Sequence, residues 1–318
     1  MSDLERAVTA IVRDCLGVRQ GEEVLVVCNP ATIGLGERLR GEAGRAGADG
    51  VLCLIAERGS HAAEPPGSIA AAMAAADVVL APTMQSLSHT MARKAATDAG
   101  VRIATLPGAT EEMLARVMSA DMAGLRRKGE AIADLLTQGA EARITDANGS
   151  DLRLGLGDRR AIPDAGDLTA PGAFGNLPCG EGFIAPLEGT AEGTLVVDGT
   201  IAAIGRVEEP IELTVEGGHL VGASGAQGQR LLEILRAGGE CGTNVAELGI
   251  GTNERAQLTG NLLEDEKILG TAHVAFGASA AIGGTVSVPI HIDCVVLEPE
   301  VTVDGETLAR GGELLVGG

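Results

Sequence analysis

The sequence predicts an α/β protein: an N-terminal α/β domain with a mostly parallel sheet over residues 1–138, then a β-rich α+β domain over 139–318. Two features of the chain predict it. Up to about residue 137, short β-rich runs alternate with Ala-rich stretches of helical length, the pattern of a parallel sheet with helices on both faces. From about residue 140 the texture changes to strand pairs joined by turn dipeptides. At 318 residues the chain exceeds one average domain, so a division into two is expected.

Leu4, Ala7, Val8, Ile11, Val12, Cys15 and Leu16 recur at helical spacing, with Ser2 or Asp3 as N-cap and Gly17 as stop, which predicts a helix over 4–16. Strands follow at Glu23 to Cys28, Val51 to Ala56, Asp77 to Ala81 and Val101 to Leu106, separated by helices around 32–46, 65–75 and 87–99. Two further helices are expected over 109–118 and 121–137. Asn148-Gly149 predicts a hairpin between Ala142 to Thr145 and Leu152 to Leu156, and Asp198-Gly199 another between Thr194 to Val197 and Ile201 to Ile204. Gly217-Gly218 turns the chain after Ile211 to Val215, and one helix, about 226–237, interrupts the strands. The Pro/Gly/Asp-rich stretch from Ile162 to Pro178 reads as a long loop, a kind of segment that is often functional.

Hydrophobic residues make up 45% and charged residues 21%, with apolar runs short and broken by Gly, which describes a soluble globular chain with no membrane span. The start, Met1-Ser2-Asp3-Leu4-Glu5-Arg6, lacks the basic and then apolar layout of a signal peptide, so a cytoplasmic location is expected. Six scattered cysteines form no C-x-x-C pair, which argues against a zinc knuckle or a disulfide framework. A net charge of −20 repels phosphate backbones, so nucleic acid is not an expected partner. Trp and Tyr are absent and Phe occurs three times, which removes the usual aromatic anchors of binding modules.

Gly34-Leu35-Gly36 follows a strand and opens a helix as a dinucleotide fingerprint would, with Glu57 at the end of the next strand. Leu39 holds the place of the third glycine, so an ordinary strand-to-helix turn is the better reading. There is neither a P-loop nor a G-x-S-x-G elbow.

The chemistry gathers in the C-terminal half. His291 and Asp293 lie two apart in the strand-like run Val286 to Val296 and therefore share a face, where a nitrogen and an oxygen can bind a divalent cation. A surface strand with an incidental ion pair is the competing reading of that element alone. His273 lies in a second β-like segment before Gly283-Gly284, so the two histidines are expected on a hairpin or on adjacent strands. Glu247 is a charge inside the apolar run Val245 to Gly251, costly unless paired or metal-bound. Glu181 ends the long loop in the same manner. Three carboxylates and two imidazoles suit two cations sharing a bridging carboxylate, a design that hydrolyses amides with metal-activated water.

Four motifs, Asn176-Leu177-Pro178-x-Gly180-Glu181, Ala246-Glu247-Leu248-Gly249-Ile250-Gly251-Thr252-Asn253, Asp265-Glu266-Lys267-x-x-Gly270-Thr271-x-His273-x-Ala275-x-Gly277 and His291-x-Asp293, occur in this order. Together they resemble the M29 metallo-aminopeptidases, also called thermophilic or aminopeptidase T-type enzymes, over residues 170–295. The resemblance implies a homodimeric hydrolase that removes N-terminal residues from short peptides or cleaves small amides. Its two divalent ions (Zn, Co or Mn) would be held by Glu181, Glu247, His273, His291 and Asp293. Glu247 would be the bridge, with Glu181 and Glu247 serving the catalysis. That family also has a Tyr seven residues after the ligand histidine, where this chain has Ala280. Cys179, two residues before Glu181, is read as ordinary packing with a ligand or nucleophile role as the alternative.

The same fold occurs in the 2,5-dihydroxypyridine ring-cleaving dioxygenases, which use one iron, and Ala191 to Asp198 and the His-x-Asp element resemble theirs. They would have a His where Glu247 stands, and on this alternative reading a facial triad of His273, His291 and Asp293 would hold Fe(II). A third reading is a non-catalytic metal-binding protein that has lost the Tyr at position 280.

Overall fold

Ser2 opens the first helix with a reciprocal capping box, its Oγ accepting from the Glu5 N–H while Glu5 accepts from the Ser2 N–H. In the computed structural model, which describes residues 1–317, this helix is α-helical over Asp3–Thr9 and then widens to a π-turn over Ala10–Cys15. The wider turn keeps Ile11, Val12, Cys15 and Leu16 buried together. Gly17, at φ +55°, ends it as expected.

Strands Glu23–Cys28, Asp49–Leu54, Val78–Ala81 and Arg102–Thr105 form at the predicted places, displaced by at most two residues at their ends. They make a parallel sheet with Phe174–Asn176 as the fifth strand, in the order Asp49–Leu54, Glu23–Cys28, Val78–Ala81, Arg102–Thr105, Phe174–Asn176. Helices Ile33–Arg45, Gly67–Ala75 and Met91–Asp98 connect the strands. Gly36, part of the rejected nucleotide fingerprint, lies where a Cβ would press within 3.2 Å of Cys28 and Leu52. Its glycine serves helix-against-strand packing.

The second half contains two antiparallel sheets, one of eight strands and one of seven, whose apolar residues share a single core cluster. The expected hairpins at Asn148-Gly149 and Gly217-Gly218 form, pairing Glu141–Thr145 with Asp151–Gly155 and Ile211–Glu216 with His219–Ala223. The hairpin expected at Asp198-Gly199 does not. Glu192–Val197 pairs with Ile211–Glu216 in the eight-stranded sheet, while Thr200–Ile201 pairs with His291–Val296 in the other. The turn dipeptide carries the chain across: Gly199 N–H donates to the Val295 carbonyl and Asp198 Oδ1 accepts from Leu297 N–H. The predicted long loop contributes two short strands, Ile162–Asp164 to the seven-stranded sheet and Phe174–Asn176 to the parallel one.

The chain divides into one compact unit of Met1–Met122 with Gly166–Cys179 and a second of Ala123–Ala165 with residues from Gly180 onward. Helix Met122–Gln138 thus falls almost wholly in the second unit rather than before a boundary at 138, because Ile132, Ala133 and Leu136 pack into the core of Ala142, Ile144 and Leu154. Among the described residues no helix is long and apolar enough to cross a membrane.

Candidate metal centre

Four neighbouring strands of the seven-stranded sheet build the site: Glu181–Ile184, Val245–Gly251, Ala272–Gly277 and His291–Val296. Register places Gly251 opposite Glu181, Gly249 opposite His273, Glu247 and Asp293 opposite Ala275, and His291 opposite Gly277. Side chains alternate across a strand, so Glu181, Glu247, His273, His291 and Asp293 all project from one face. Leu248, Ile250, Val274, Phe276, Ile292 and Cys294 project from the other, into the core. Small residues keep the donor face open. A Cβ at Gly249 would lie 2.0 Å from His273 Nε2, so only glycine there admits the imidazole.

All five expected donors meet. His273 Nε2 lies 3.1 Å from Glu181 Oε2 and 3.4 Å from Glu247 Oε1, and His291 Nε2 lies 3.4 Å from both Glu247 Oε2 and Asp293 Oδ1. Glu247 thus turns one oxygen toward each imidazole. Three sets of donor atoms converge within 4.8 Å: Glu181, Glu247 and His273; Glu247, His291 and Asp293; and Glu266, His273 and Asp293. The facial triad of His273, His291 and Asp293 is not among them. His291 is level with Gly277, four residues along the strand from His273, which puts the two imidazoles roughly 13 Å apart at their backbones. Each set therefore has one imidazole and two carboxylates. Cys179 is buried and belongs to none of the sets, and Ala280 is exposed in a short turn between the two histidine strands.

The donors fit a divalent cation. His291 Nδ1 lies 2.8 Å from the Ala278 carbonyl, which assigns the proton to Nδ1 and leaves Nε2 as the lone pair facing the carboxylates. Glu181 Oε2, 3.1 Å from His273 Nε2, is buried with no aligned hydrogen bond, a polar atom for which a cation in the cluster would account.

Lys267, Glu266 and Asp164 complete the cluster. Glu264, Asp265, Glu266 and Lys267 are four successive charged residues, all buried. Lys267 Nζ reaches Glu181 Oε1 at 2.5 Å, Glu266 Oε1 at 2.7 Å and Asp164 Oδ2 at 3.7 Å. In the sequence Asp265, Glu266 and Lys267 stand within a motif without an assigned role, because a charged run ordinarily reads as a solvated face. The signal that separates them is the apolar Leu262-Leu263 before and Ile268-Leu269 after, a context that draws the run inward.

Burial pushes the Glu181, Glu247 and Asp293 carboxyls up, but Lys267 with His273 at Glu181, the two imidazoles at Glu247 and His291 at Asp293 reverse it, holding all three below the ordinary carboxylate range. Burial alone would lower both imidazoles. The carboxylates beside them raise His273 and His291 well above the ordinary value instead. Asp164 and Glu266, for which burial prevails over Lys267, rise to about 7 and about 8.

An α/β chain with a buried imidazole and carboxylate cluster on one sheet face has the makings of a metal-dependent enzyme. More particularly, the chain belongs to the 2,5-dihydroxypyridine 5,6-dioxygenase family, NicX, whose profile matches residues 50–316. It is 27% identical over 265 residues to the 2,5-dihydroxypyridine 5,6-dioxygenase of Pseudomonas putida, covering 78% of this chain and 74% of that one. The structure of 2,5-dihydroxypyridine dioxygenase from Pseudomonas putida KT2440 superposes with a TM-score of 0.86 at 21% identity, over 99% of this chain and 98% of that one. Wild-type AmpT from Thermus thermophilus superposes with a TM-score of 0.73, also at 21% identity, over 99% of both chains. The expectation of an aminopeptidase-like hydrolase, a metalloprotease of the M29 type, is overturned by the family match. AmpT shares the fold.

Proposed function

We propose that the protein is a metal-dependent ring-opening dioxygenase acting on a dihydroxylated pyridine or a close N-heterocyclic relative. The observation that carries this reading is the family match over residues 50–316, a span that includes every donor of the cluster. With 2,5-dihydroxypyridine, the ring bond between C5 and C6 breaks and each of these carbons receives one atom of dioxygen. The electrons come from the ring and the broken bond, so no separate reductant is consumed. Ferrous iron, when held by the cluster, supplies the electronic coupling between the electron-rich ring and dioxygen. The sets beside His273 and beside His291 are the ones that would hold it, with Glu247 turning one oxygen toward each imidazole.

The test is reconstitution with ferrous iron in the absence of air, followed by addition of 2,5-dihydroxypyridine and labelled dioxygen. Consumption of one dioxygen per ring opened, with both labelled atoms in the product, is expected. Iron-loaded protein that leaves hydroxylated pyridines intact would sink the reading.

A further inference from the structure

Lys267 is 1% exposed, and an ammonium is almost never buried to this degree unless paired. Its pairing is divided. The ammonium takes one oxygen from Glu181, on the strand Glu181–Ile184, and one from Glu266, its own neighbour in sequence. At Glu181 the other oxygen is left over. Glu181 Oε2 lies 3.1 Å from His273 Nε2 with no aligned hydrogen bond, and Glu266 offers an oxygen to the set it forms with His273 and Asp293.

The base of the side chain is equally fixed. Lys267 N–H donates to the Glu264 carbonyl, and the Lys267 carbonyl accepts from Asn253 N–H. Asp265 anchors the same turn, accepting from Thr259 N–H, Gly260 N–H and the Thr200 hydroxyl. The ammonium therefore sits at the end of an anchored arm and gathers two carboxylates from separate elements.

We propose that Lys267 is a positioning residue: by tying down one oxygen each of Glu181 and Glu266, it determines which oxygen each carboxylate presents to a metal ion beside His273. This rests on the reading that the cluster holds a divalent metal. A role as simple countercharge makes the opposite prediction about affinity. Removing a cation from beside a divalent ion removes repulsion and tightens metal binding, whereas releasing the ligands it orients weakens it, typically about 10- to 100-fold.

The probe is cobalt(II), titrated into metal-free protein and followed by its visible absorption, with affinity measured by chelator competition. Lys267→Met is expected to weaken cobalt binding about 10- to 100-fold and to alter the absorption bands. Lys267→Arg keeps the charge but replaces a compact donor with a planar fork, and it too is expected to bind more weakly with altered bands. Wild-type affinity or tighter, with unchanged bands, in Lys267→Met would overturn the proposal. Should Lys267→Met fail to fold, Lys267→Arg decides: wild-type affinity and bands would assign the residue to charge balance alone. Wild-type protein that takes up no cobalt overturns the metal reading and this proposal with it. Tight wild-type binding with unaffected variants overturns this proposal only.

Discussion

Glu247 offers one oxygen to each imidazole, so its replacement reaches both sides of the cluster at once. Glu247→Gln removes the charge while keeping the shape. Metal content after dialysis against a fixed metal concentration is expected to fall, with an affinity loss on the order of the 10- to 100-fold that outer-sphere partners already command, or more. Full retention of metal would remove Glu247 from the ligand set. Glu247→His would instead leave two imidazoles and one carboxylate with His291 and Asp293, a set that suits ferrous iron. Higher iron retention against zinc in a competition assay is the expected outcome. At Gly249 the constraint is steric. Gly249→Ala places a methyl group 2.0 Å from His273 Nε2, so the imidazole must leave its position. A stability loss of about 1–3 kcal/mol in urea unfolding, together with weakened metal binding, is expected. Loss of neither would show that the imidazole has room to move.

The helix Ile33–Arg45 has its own buried charge. Glu42 is almost fully buried and accepts from Arg13 at 2.7 Å and from Arg45. Burial pushes its carboxyl up, but the two guanidinium partners outweigh that and hold it below its ordinary value of 4.5. Because the folded value lies below the unfolded one, the stabilisation is complete above the unfolded value and disappears as pH falls through the folded one. Glu42→Gln is therefore expected to lower stability by about 1–2 kcal/mol at neutral pH and progressively less in acid. Urea midpoints measured from neutral pH down to about pH 3 read this directly, and a constant difference across the range would refute it. Two elements also show why pattern has limits. The apolar run from Val286 reads as strand throughout, but only His291–Val296 pairs. Pro289 has no N–H to donate, and the Val286 carbonyl is taken by the N–H groups of Ser279 and Ala280. In the same way, Asp198-Gly199 has the composition of a hairpin turn and serves as a crossing between sheets.

At the level of the whole molecule, a metal that binds the folded state and not the unfolded chain must raise stability by mass action. Chelation of metal-saturated protein is expected to lower the thermal midpoint of the second unit, by an amount equivalent to about 2.7 kcal/mol when free metal stands at 100 times its dissociation constant. An unchanged midpoint would mean that the cluster is satisfied without a cation. Fold and reaction separate at this scale as well. The scaffold is close to both a dioxygenase and AmpT by superposition, so architecture does not choose between ring opening and peptide cleavage. The family match is what turns the reading from hydrolase to dioxygenase.

The order of strands and helices in the first unit was legible in the sequence, and so was the choice of Glu181, Glu247, His273, His291 and Asp293 as side chains that the fold brings together. Periodicity and isolated charges in apolar runs are local signals that survive without knowledge of the fold. Tertiary structure alone decided the rest: that the donors sort into sets of one imidazole and two carboxylates, that Thr200–Ile201 crosses to the other sheet, and that Glu264 to Lys267 turn inward. These depend on strand register and on which distant charge meets which. A buried charge is tolerable only beside a partner that the chain supplies from far away, and sequence spacing carries no record of that distance.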